Sequence, residues 1–209
     1  IGLWEAPTHL RLKRVFTIEE CSARLASWFY DSAANALFLR SSGIAPARAL
    51  PYLRENVEEP VFSIRHPHIV VENLHLAFGA HGACIAGRDA DQVTVRGCRA
   101  YCNRSAGIYA SGDHHRIERN EVFHNNQYGI QLRHSVNHTR VLRNRALFNG
   151  PNNGEATDSS VPADLSMYSR GLYNLFEGNL LDGLHQNTFR IKYGGNNANL
   201  VRYNVIKGF

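Results

Sequence analysis

The chain has 209 residues, of which 44% are hydrophobic and 20% are charged. This composition is typical of one folded domain or a short solenoid and excludes a disordered segment. No apolar run approaches the roughly 18 residues that a transmembrane helix needs, so we expect no membrane-spanning helix.

The formal net charge of +5 suggests an acidic ligand, either nucleic acid or an anionic glycan. Nucleic acid is disfavoured because the 23 Lys and Arg residues are scattered and no basic run with interleaved aromatic residues or familiar nucleic-acid motif occurs. Arginines spread over a solvated surface are the alternative explanation of this charge.

The first 60 residues carry no repeat and are predicted to form a separate N-terminal segment, 1–60. Two runs of aromatic and aliphatic residues, Trp28–Asp31 and Ala36–Arg40, flank the polar Ser32–Asn35. This arrangement predicts a β-hairpin with a polar turn. We expect the hairpin to pack on the first coil of the repeat that follows.

A six-residue phrase recurs from about residue 69: apolar, any, any, Asn, any, apolar. Its anchor position holds Asn in four copies and an apolar residue in two, at Leu74, Cys98, Asn120, Asn144, Asn179 and Asn204. Successive anchors are 24, 22, 24, 35 and 25 residues apart. The long gap contains the turn-forming run 150–160, which predicts one looped-out insertion.

A second phrase between the anchors has the period-two pattern of short strands. Its copies are Gly107–Ala110, Gly129–Leu132, Asp164–Met167 and Thr188–Ile191. About 22 residues are too few for a strand–helix–strand crossover but suffice for two or three short strands joined by tight turns, which make one coil of a solenoid. The pattern therefore predicts an all-β solenoid over residues 61–209.

The recurring Asn has a physical reason in such a solenoid. Stacked coils place Asn120, Asn144, Asn179 and Asn204 above one another at an inward-facing turn. There, each side-chain amide can bond the amide of the next coil and the backbone of the turn, which satisfies polar groups that would otherwise be buried unpaired. A leucine-rich repeat also carries a repeated Asn, but its L-x-x-L-x-L phrase is absent.

The Asn and Gly-Ile phrases resemble the repeats of right-handed parallel β-helix proteins in the pectate-lyase-like superfamily. The resemblance covers roughly residues 61–209 and implies a right-handed parallel β-helix of about six coils. It also implies action on a polysaccharide, as a lyase, a uronan epimerase or a glycoside hydrolase, in a secreted or periplasmic protein. Because the fold hosts many activities, the reaction has to be argued from individual residues.

Strand alternation predicts which side chains face outward. With Ile108, Ile130, Leu165 and Phe189 inward, the first outward column contains Tyr109, Gln131, Ser166 and Arg190. The next outward column contains Ser111, Arg133, Tyr168 and Lys192. Since neighbouring strands lie about 4.8 Å apart, these columns form one groove, with His134 and Asp113 just beyond it at the turn.

This groove has the residue types needed for β-elimination on a uronic acid. Arg133 or Arg190 would bind the carboxylate, with Tyr109 and Gln131 as further substrate-binding residues. Lys192 or His134 would remove the C5 proton, and Tyr168 would protonate the leaving oxygen. The alternative is that these are ordinary solvated residues on a β-face.

Two other functions stay open. A glycoside hydrolase would need a carboxylate pair roughly 5 to 10 Å apart. Asp113 and Asp164 are the main candidates, and the insertion adds Glu155 and Asp158. A non-catalytic glycan-binding or structural solenoid would bind a polysaccharide without turning it over. Either way, the predicted partner is an anionic polysaccharide rather than nucleic acid or a membrane.

No cofactor is predicted. The adjacent His114 and His115 would point to opposite faces of a strand, and the four cysteines lack a zinc-binding spacing. Calcium at a turn is an alternative without a supporting motif. At the C-terminal end, Val205–Phe209 directly follows an Asn phrase, so we expect missing residues or another chain to cover that coil.

Overall fold

The structure is a computed structural model, and it divides into two units, Ile1–Val57 and Glu58–Phe209. The residues that the structure describes are 2–5, 10–25, 27–31, 33, 36–40, 51–54, 59–85, 90–150, 163–167, 171–183, 188–191 and 198–207.

The first unit is a five-stranded sheet with one short helix. Its elements are β1 (Gly2–Glu5), β2 (Leu10–Arg14), α1 (Ile18–Ala23), β3 (Ser27–Asp31), β4 (Ala36–Arg40) and β5 (Pro51–Arg54). The strand order is β4-β3-β2-β1-β5. β3 and β4 pair antiparallel from Ser27 opposite Arg40 to Asp31 opposite Ala36, over the two runs for which the sequence predicts a hairpin. The packing of this unit on the first coil stays a prediction.

Helix α1 begins after Thr17, whose hydroxyl accepts a hydrogen bond from the Glu20 N–H at 3.1 Å. A threonine at this position satisfies one of the N–H groups that a helix leaves unpaired at its start. In the described parts of the chain, no helix has the length and apolar character needed to cross a membrane.

The second unit consists of three parallel sheets of six strands each. Sheet 1 contains β6 (Phe62–Ile64), β9 (Ala83–Ile85), β12 (Ala106–Ala110), β15 (Tyr128–Leu132), β18 (Ala163–Met167) and β21 (Phe189–Ile191). Sheet 2 contains β7 (Val70–Glu72), β10 (Thr94–Arg96), β13 (Arg116–Glu118), β16 (Arg140–Leu142), β19 (Leu175–Glu177) and β22 (Leu200–Arg202). Sheet 3 contains β8 (His75–Ala77), β11 (Arg99–Tyr101), β14 (Glu121–Phe123), β17 (Arg145–Leu147), β20 (Leu180–Asp182) and β23 (Val205–Lys207).

The chain visits sheets 1, 2 and 3 in turn and then returns to sheet 1 beside its previous strand. Five full turns lead from β6 to β21, and β22 and β23 continue into one more coil. This topology confirms the predicted all-β parallel β-helix. Parallel crossovers of this kind are right-handed in nearly all proteins.

The core is a column of small and medium apolar side chains from the middle of each short strand. In sheet 2 the inward residues Val71, Val95, Ile117, Val141 and Phe176 are all buried. In the last coil, Val201 and Ile206 occupy the corresponding positions of sheets 2 and 3 and are 40% and 48% exposed. The covering of this coil by further residues or another chain stays a prediction.

Sheets 2 and 3 are joined by a sharp turn that contains one residue with left-handed backbone. The positions in this column are Asn73, Gly97, Arg119, Arg143, Gly178 and Tyr203. A left-handed conformation costs a residue with a Cβ about 1 kcal/mol. The structure offsets this cost because the N–H at each turn from Asn73 to Gly178 bonds a carbonyl of the next coil, as Arg143 does to Glu177 at 2.9 Å.

The residue after this turn is the predicted Asn anchor, and the Asn ladder is confirmed. The Nδ2 of Asn120, Asn144 and Asn179 donates to the Oδ1 of the next Asn at 3.0, 3.1 and 2.8 Å. The same Nδ2 also donates to a backbone carbonyl, such as that of Val95 for Asn120 at 2.9 Å. These coils are thus held in register with one another by buried amide groups.

Candidate functional site

The outward face of sheet 1 has the predicted register. Tyr109, Gln131, Ser166 and Arg190 are paired in order on neighbouring strands. Gln131 is only 2% exposed and Ser166 is fully buried, whereas Tyr109 and Arg190 are partly exposed. The Ser166 hydroxyl has no hydrogen-bond partner among the described residues. The middle of the column is therefore covered, and its accessible groups lie toward the ends.

Tyr109, Arg133 and His81 form a polar cluster on this face. The Arg133 side chain is hydrogen-bonded to the Tyr109 hydroxyl, and the His81 ring lies 5.0 Å from the Tyr109 ring, centre to centre. The Arg133 N–H donates to the Ala110 carbonyl at 2.8 Å, so this residue continues the strand register beyond β15. His81 lies just before β9, and the sequence analysis missed it because it precedes the repeated strand phrase.

His81 is neutral at ordinary pH. Burial, followed by the positive charge of Arg133, lowers its pKa to about 4. Its Nδ1 lies 3.3 Å from the Ala106 N–H and accepts that hydrogen bond, which leaves the ring proton on Nε2. His81 therefore presents an N–H donor beside Tyr109, and neither of its ring nitrogens is available to act as a base.

Tyr109 keeps its proton at neutral pH. Burial raises the pKa of its hydroxyl, and the charge and hydrogen bond of Arg133 offset that increase only in part. A protonated phenol next to a guanidinium can donate a proton to an oxygen bound at the same place. The sequence pattern predicts a substrate-binding role for Tyr109, and its position next to Arg133 also allows it to donate a proton.

The structure describes only one of the three residues that the sequence predicts as acid or base. His134 is exposed at the turn that follows Arg133 and has left-handed backbone, with φ of 61°. Tyr168 and Lys192 lie outside the described residues, as does most of the 150–160 insertion. The roles of Tyr168 as acid and Lys192 as base, and the looped-out insertion, therefore stay predictions.

The two candidate hydrolase carboxylates are both engaged in structural hydrogen bonds. Asp113 Oδ1 accepts from the N–H and the Nδ2 of Asn137 at 2.8 and 2.9 Å, in the turn after sheet 1. Asp164 Oδ1 accepts from the N–H and the Nδ2 of Asn149 at 2.9 and 2.8 Å. Neither contact aims a carboxylate at the groove, so the arrangement lends no support to a hydrolase pair.

Asp164 faces the interior although it lies directly before the inward Leu165. It is in register with Gly129 of the previous coil, where a Cβ would meet Asn149 Nδ2 at 2.8 Å and Ala146 Cβ at 3.2 Å. Strict period-two alternation predicts the opposite face, so the alternation is broken here. Burial raises the pKa of the Asp164 carboxyl to about 7.

A second concave surface lies on sheet 2, and the sequence analysis missed it. It has a volume of about 860 Å³ and is lined by a turn column that includes His114, His138 and Tyr173 and by a strand column that includes Arg116 and Arg140. These turn residues are 24 and 35 residues apart, the same gaps as the Asn anchors. Alignment of the repeat positions could have revealed the column. We call this surface the sheet 2 groove.

Metal binding finds no supporting cluster in the parts of the chain that are described. No group of three His, Cys, Asp or Glu side chains there could hold a metal ion. The four cysteines are buried and form no disulfide bond. His115 lies in the interior, where its Nδ1 accepts from the Val93 N–H at 3.4 Å, so it belongs to the packing of the turns.

Comparison with known proteins places the repeat in a family. The family model described as a right handed beta helix region matches the chain twice, over residues 55–161 and 83–208. Comparisons with curated proteins and with solved structures found no match. The family match agrees with the three-sheet coil and leaves the activity to be argued from the side chains.

Proposed function

The chain belongs to the right-handed β-helix family, and we propose that it is a carbohydrate-active protein that cleaves an acidic, uronate-containing polysaccharide by β-elimination. The observation that carries the proposal is the hydrogen bond between Arg133 and Tyr109 on the outward face of sheet 1. It joins a permanent cation to a proton donor. β-Elimination needs both groups around one uronate residue.

Each group has a defined part in the reaction. Arg133 pairs with the uronate carboxylate and stabilises the charge that develops when the C5 proton leaves. The electron pair of the C5–H bond forms the new C4–C5 double bond, and the C4–O bond breaks. In this proposal Tyr109, rather than the Tyr168 predicted from the sequence, gives its proton to the leaving glycosidic oxygen. Neutral His81 donates its Nε2–H beside this oxygen and supports its partial charge.

The base that removes the C5 proton is His134 or Lys192, as the sequence predicts. His134 directly follows Arg133 and is exposed at the turn, where a substrate held by Arg133 would be within reach. In this proposal a guanidinium, rather than a bound cation, neutralises the carboxylate. The expected location is secreted or periplasmic, where such polysaccharides are encountered.

A non-catalytic glycan-binding or structural solenoid is a second candidate, favoured by the burial of Gln131 and Ser166. These residues occupy the centre of the outward column. A covered centre reduces the surface that a polysaccharide can contact. In that case the Arg133–Tyr109 pair would hold a glycan or brace the sheet without chemistry.

The proposal is tested by the ultraviolet absorbance of the unsaturated uronate product. The protein is incubated separately with alginate, pectate, chondroitin and heparin-type chains. On the substrate that responds, Tyr109→Phe should lower kcat by about 100-fold or more with little change in KM. Arg133→Gln should lower kcat/KM at least as far, because it removes the carboxylate contact.

Tyr101→Phe is the matched control, because Tyr101 is a partly exposed tyrosine on an outward position of sheet 3. It should leave kcat unchanged. Release of reducing ends without absorbance would replace the lyase by a hydrolase. Binding of a glycan with neither signal would leave the non-catalytic solenoid as the better account.

A further inference from the structure

The sheet 2 groove has one wall of stacked rings. The rings of His114 and His138 are 4.8 Å apart and inclined by 5°, and those of His138 and Tyr173 are 5.1 Å apart and inclined by 12°. The backbone sets this spacing, because the N–H of His114 and of His138 each bonds a carbonyl of the next coil, at 2.9 and 3.0 Å. The rings cover one another's faces and leave their polar edges to line the groove.

Among the described residues, Tyr173 is the last ring of the stack, and no further ring covers its second face. The next residue that lines this wall is Ala198, which has no ring to stack on Tyr173. Tyr173 is 58% exposed. An uncovered aromatic face of this kind packs well against the C–H face of a sugar ring, since both surfaces are flat and apolar with polar edges.

The opposite wall brings two like charges together. Arg116 and Arg140 are paired in register on neighbouring strands, a separation of about 4.8 Å. Arg116 has an ion pair with Glu118 at 2.7 Å, whereas Arg140 forms none within the described residues. Among the described residues, no acidic side chain lines the groove. Like charges directly opposite each other are destabilising, and an external anion would relieve the repulsion.

The character of the groove changes along the solenoid axis. The column that contains Arg116 and Arg140 continues as Leu175 and Leu200, so the cationic end passes into an apolar end beside Tyr173. A nucleic-acid site would need cationic side chains along its whole length, because phosphates repeat along the backbone of the ligand. A sugar with one anionic group and one apolar face matches both ends of this groove.

We propose that the sheet 2 groove is a second ligand site that binds an acidic oligosaccharide. A carboxylate or sulfate group lies between Arg116 and Arg140, and a neighbouring sugar ring stacks on Tyr173. The ring edges of His114 and His138 bond sugar oxygens between these two contacts. This binding involves no bond cleavage and does not depend on the reaction proposed for sheet 1.

Calorimetric titration tests this site with two probes, a heparin-type oligosaccharide for sulfate and an alginate oligosaccharide for carboxylate. The titrations are run on the protein and again on Arg133→Gln, which removes the carboxylate contact of sheet 1. In that background, Arg140→Gln should weaken binding about tenfold. Tyr173→Asn should weaken it about fivefold, and Asn tolerates the left-handed backbone of Tyr173.

Two variants of matched type serve as controls. Tyr203→Asn changes an exposed tyrosine with the same left-handed backbone in another turn column, and Arg145→Gln changes an exposed arginine of sheet 3. Both should bind as the parent does. Tightest binding of the heparin-type probe would identify sulfate as the preferred anion, and tightest binding of the alginate probe would identify carboxylate.

The proposal is overturned by any of three results. The first is the absence of binding to both probes in the Arg133→Gln background. The second is unchanged affinity in both Arg140→Gln and Tyr173→Asn. The third is equally tight binding of an oligothymidylate with the same dependence on Arg140 and Tyr173, which would make the groove a nucleic-acid site. Loss of lyase activity alone would affect only the sheet 1 proposal.

Discussion

Asp164 accepts two hydrogen bonds from Asn149 through one carboxylate oxygen, from the backbone N–H at 2.9 Å and from the side-chain Nδ2 at 2.8 Å. Asn103 and Asn125 precede Asn149 in the same ladder, with Nδ2–Oδ1 distances of 2.8 Å for both steps. A carboxylate thus takes the place of the next amide. Its Oδ2 is buried without a hydrogen-bond partner among the described residues.

The first prediction concerns Asp164→Asn and pH. Burial raises the pKa of this carboxyl to about 7, whereas in an unfolded chain it is about 4. Between these values the folded protein holds a proton that the unfolded chain has lost, so this group makes stability fall as pH rises. The amide that replaces the carboxyl does not titrate, so the advantage of Asp164→Asn should grow from pH 4 to 7 and reach the order of 3 kcal/mol.

The measurement is urea denaturation of both proteins at several pH values. The difference between their free energies of unfolding isolates Asp164 from all other titrating groups. Parallel curves for the two proteins across pH 4 to 7 would show that the buried carboxyl does not titrate in this window.

The second prediction concerns His81→Asn, which keeps an oxygen acceptor for the Ala106 N–H. The pKa of His81 is lowered to about 4, first by burial and then by Arg133, whereas an unfolded imidazole titrates near 6.5. Between these values the unfolded chain binds a proton that the folded protein does not. This group therefore makes stability rise with pH, the opposite direction to Asp164.

Relative to His81→Asn, the parent protein should lose stability as pH falls from 6.5 to 4. Thermal melts of both proteins in this range provide the measurement. A melting-temperature difference that does not change with pH would mean that His81 binds its proton equally well in the folded and unfolded states.

The third prediction concerns the amide ladder. Asn144→Ala removes the acceptor of the Asn120 N–H and the donor to the Ile117 carbonyl. These groups stay buried and lose their partners, so the free energy of unfolding should fall by about 3 kcal/mol or more. The neighbouring Arg143→Asn is the control, because Arg143 is exposed and Asn tolerates its left-handed backbone. Equal denaturation midpoints for the two variants would contradict the role of the ladder.

The fourth prediction concerns close approach between coils. In Gly129→Ala the new Cβ would overlap the Asp164 carbonyl oxygen and lie 2.8 Å from Asn149 Nδ2. Asn149 Nδ2 is held in place by its hydrogen bond to the Val122 carbonyl at 2.9 Å, and the Asp164 carbonyl belongs to the backbone of β18. We therefore expect a loss of about 2 kcal/mol or more. At Gly178, where the nearest atom is Arg143 Cγ at 3.3 Å, substitution by Asn should be tolerated. Denaturant titration of the two variants provides the measurement, and equal losses of stability would contradict the close approach at Gly129.

Much of the fold could be predicted from periodicity. The anchors Asn120 to Asn204 recur 24 or 25 residues apart except across the one 35-residue gap that holds the insertion. Every coil needs the same inward apolar residues and the same turn. The second ladder was not predicted, although Asn103, Asn125 and Asn149 are 22 and 24 residues apart, which matches the coil period. Its last member, Asp164, lies in a strand rather than in a turn. Its separation of 15 residues from Asn149 also departs from the coil period.

The candidate site was less predictable. Period-two alternation correctly placed Tyr109 and Arg190 in one outward column. It could not indicate that Ser166 is covered, since burial of an outward residue depends on segments distant in sequence. It also could not associate His81 with Tyr109, because nothing in the spacing marks His81 as part of the strand phrase.

By itself, the sequence determined that this protein is a parallel β-helix. A solenoid repeats one local residue pattern in every coil, and each copy of that pattern indicates the same backbone geometry. Only the tertiary structure decided which polar side chains meet. The Arg133–Tyr109 pair and the wall formed by His114, His138 and Tyr173 arise between coils. A single coil carries one member of each group, and the stacking of coils creates the chemistry.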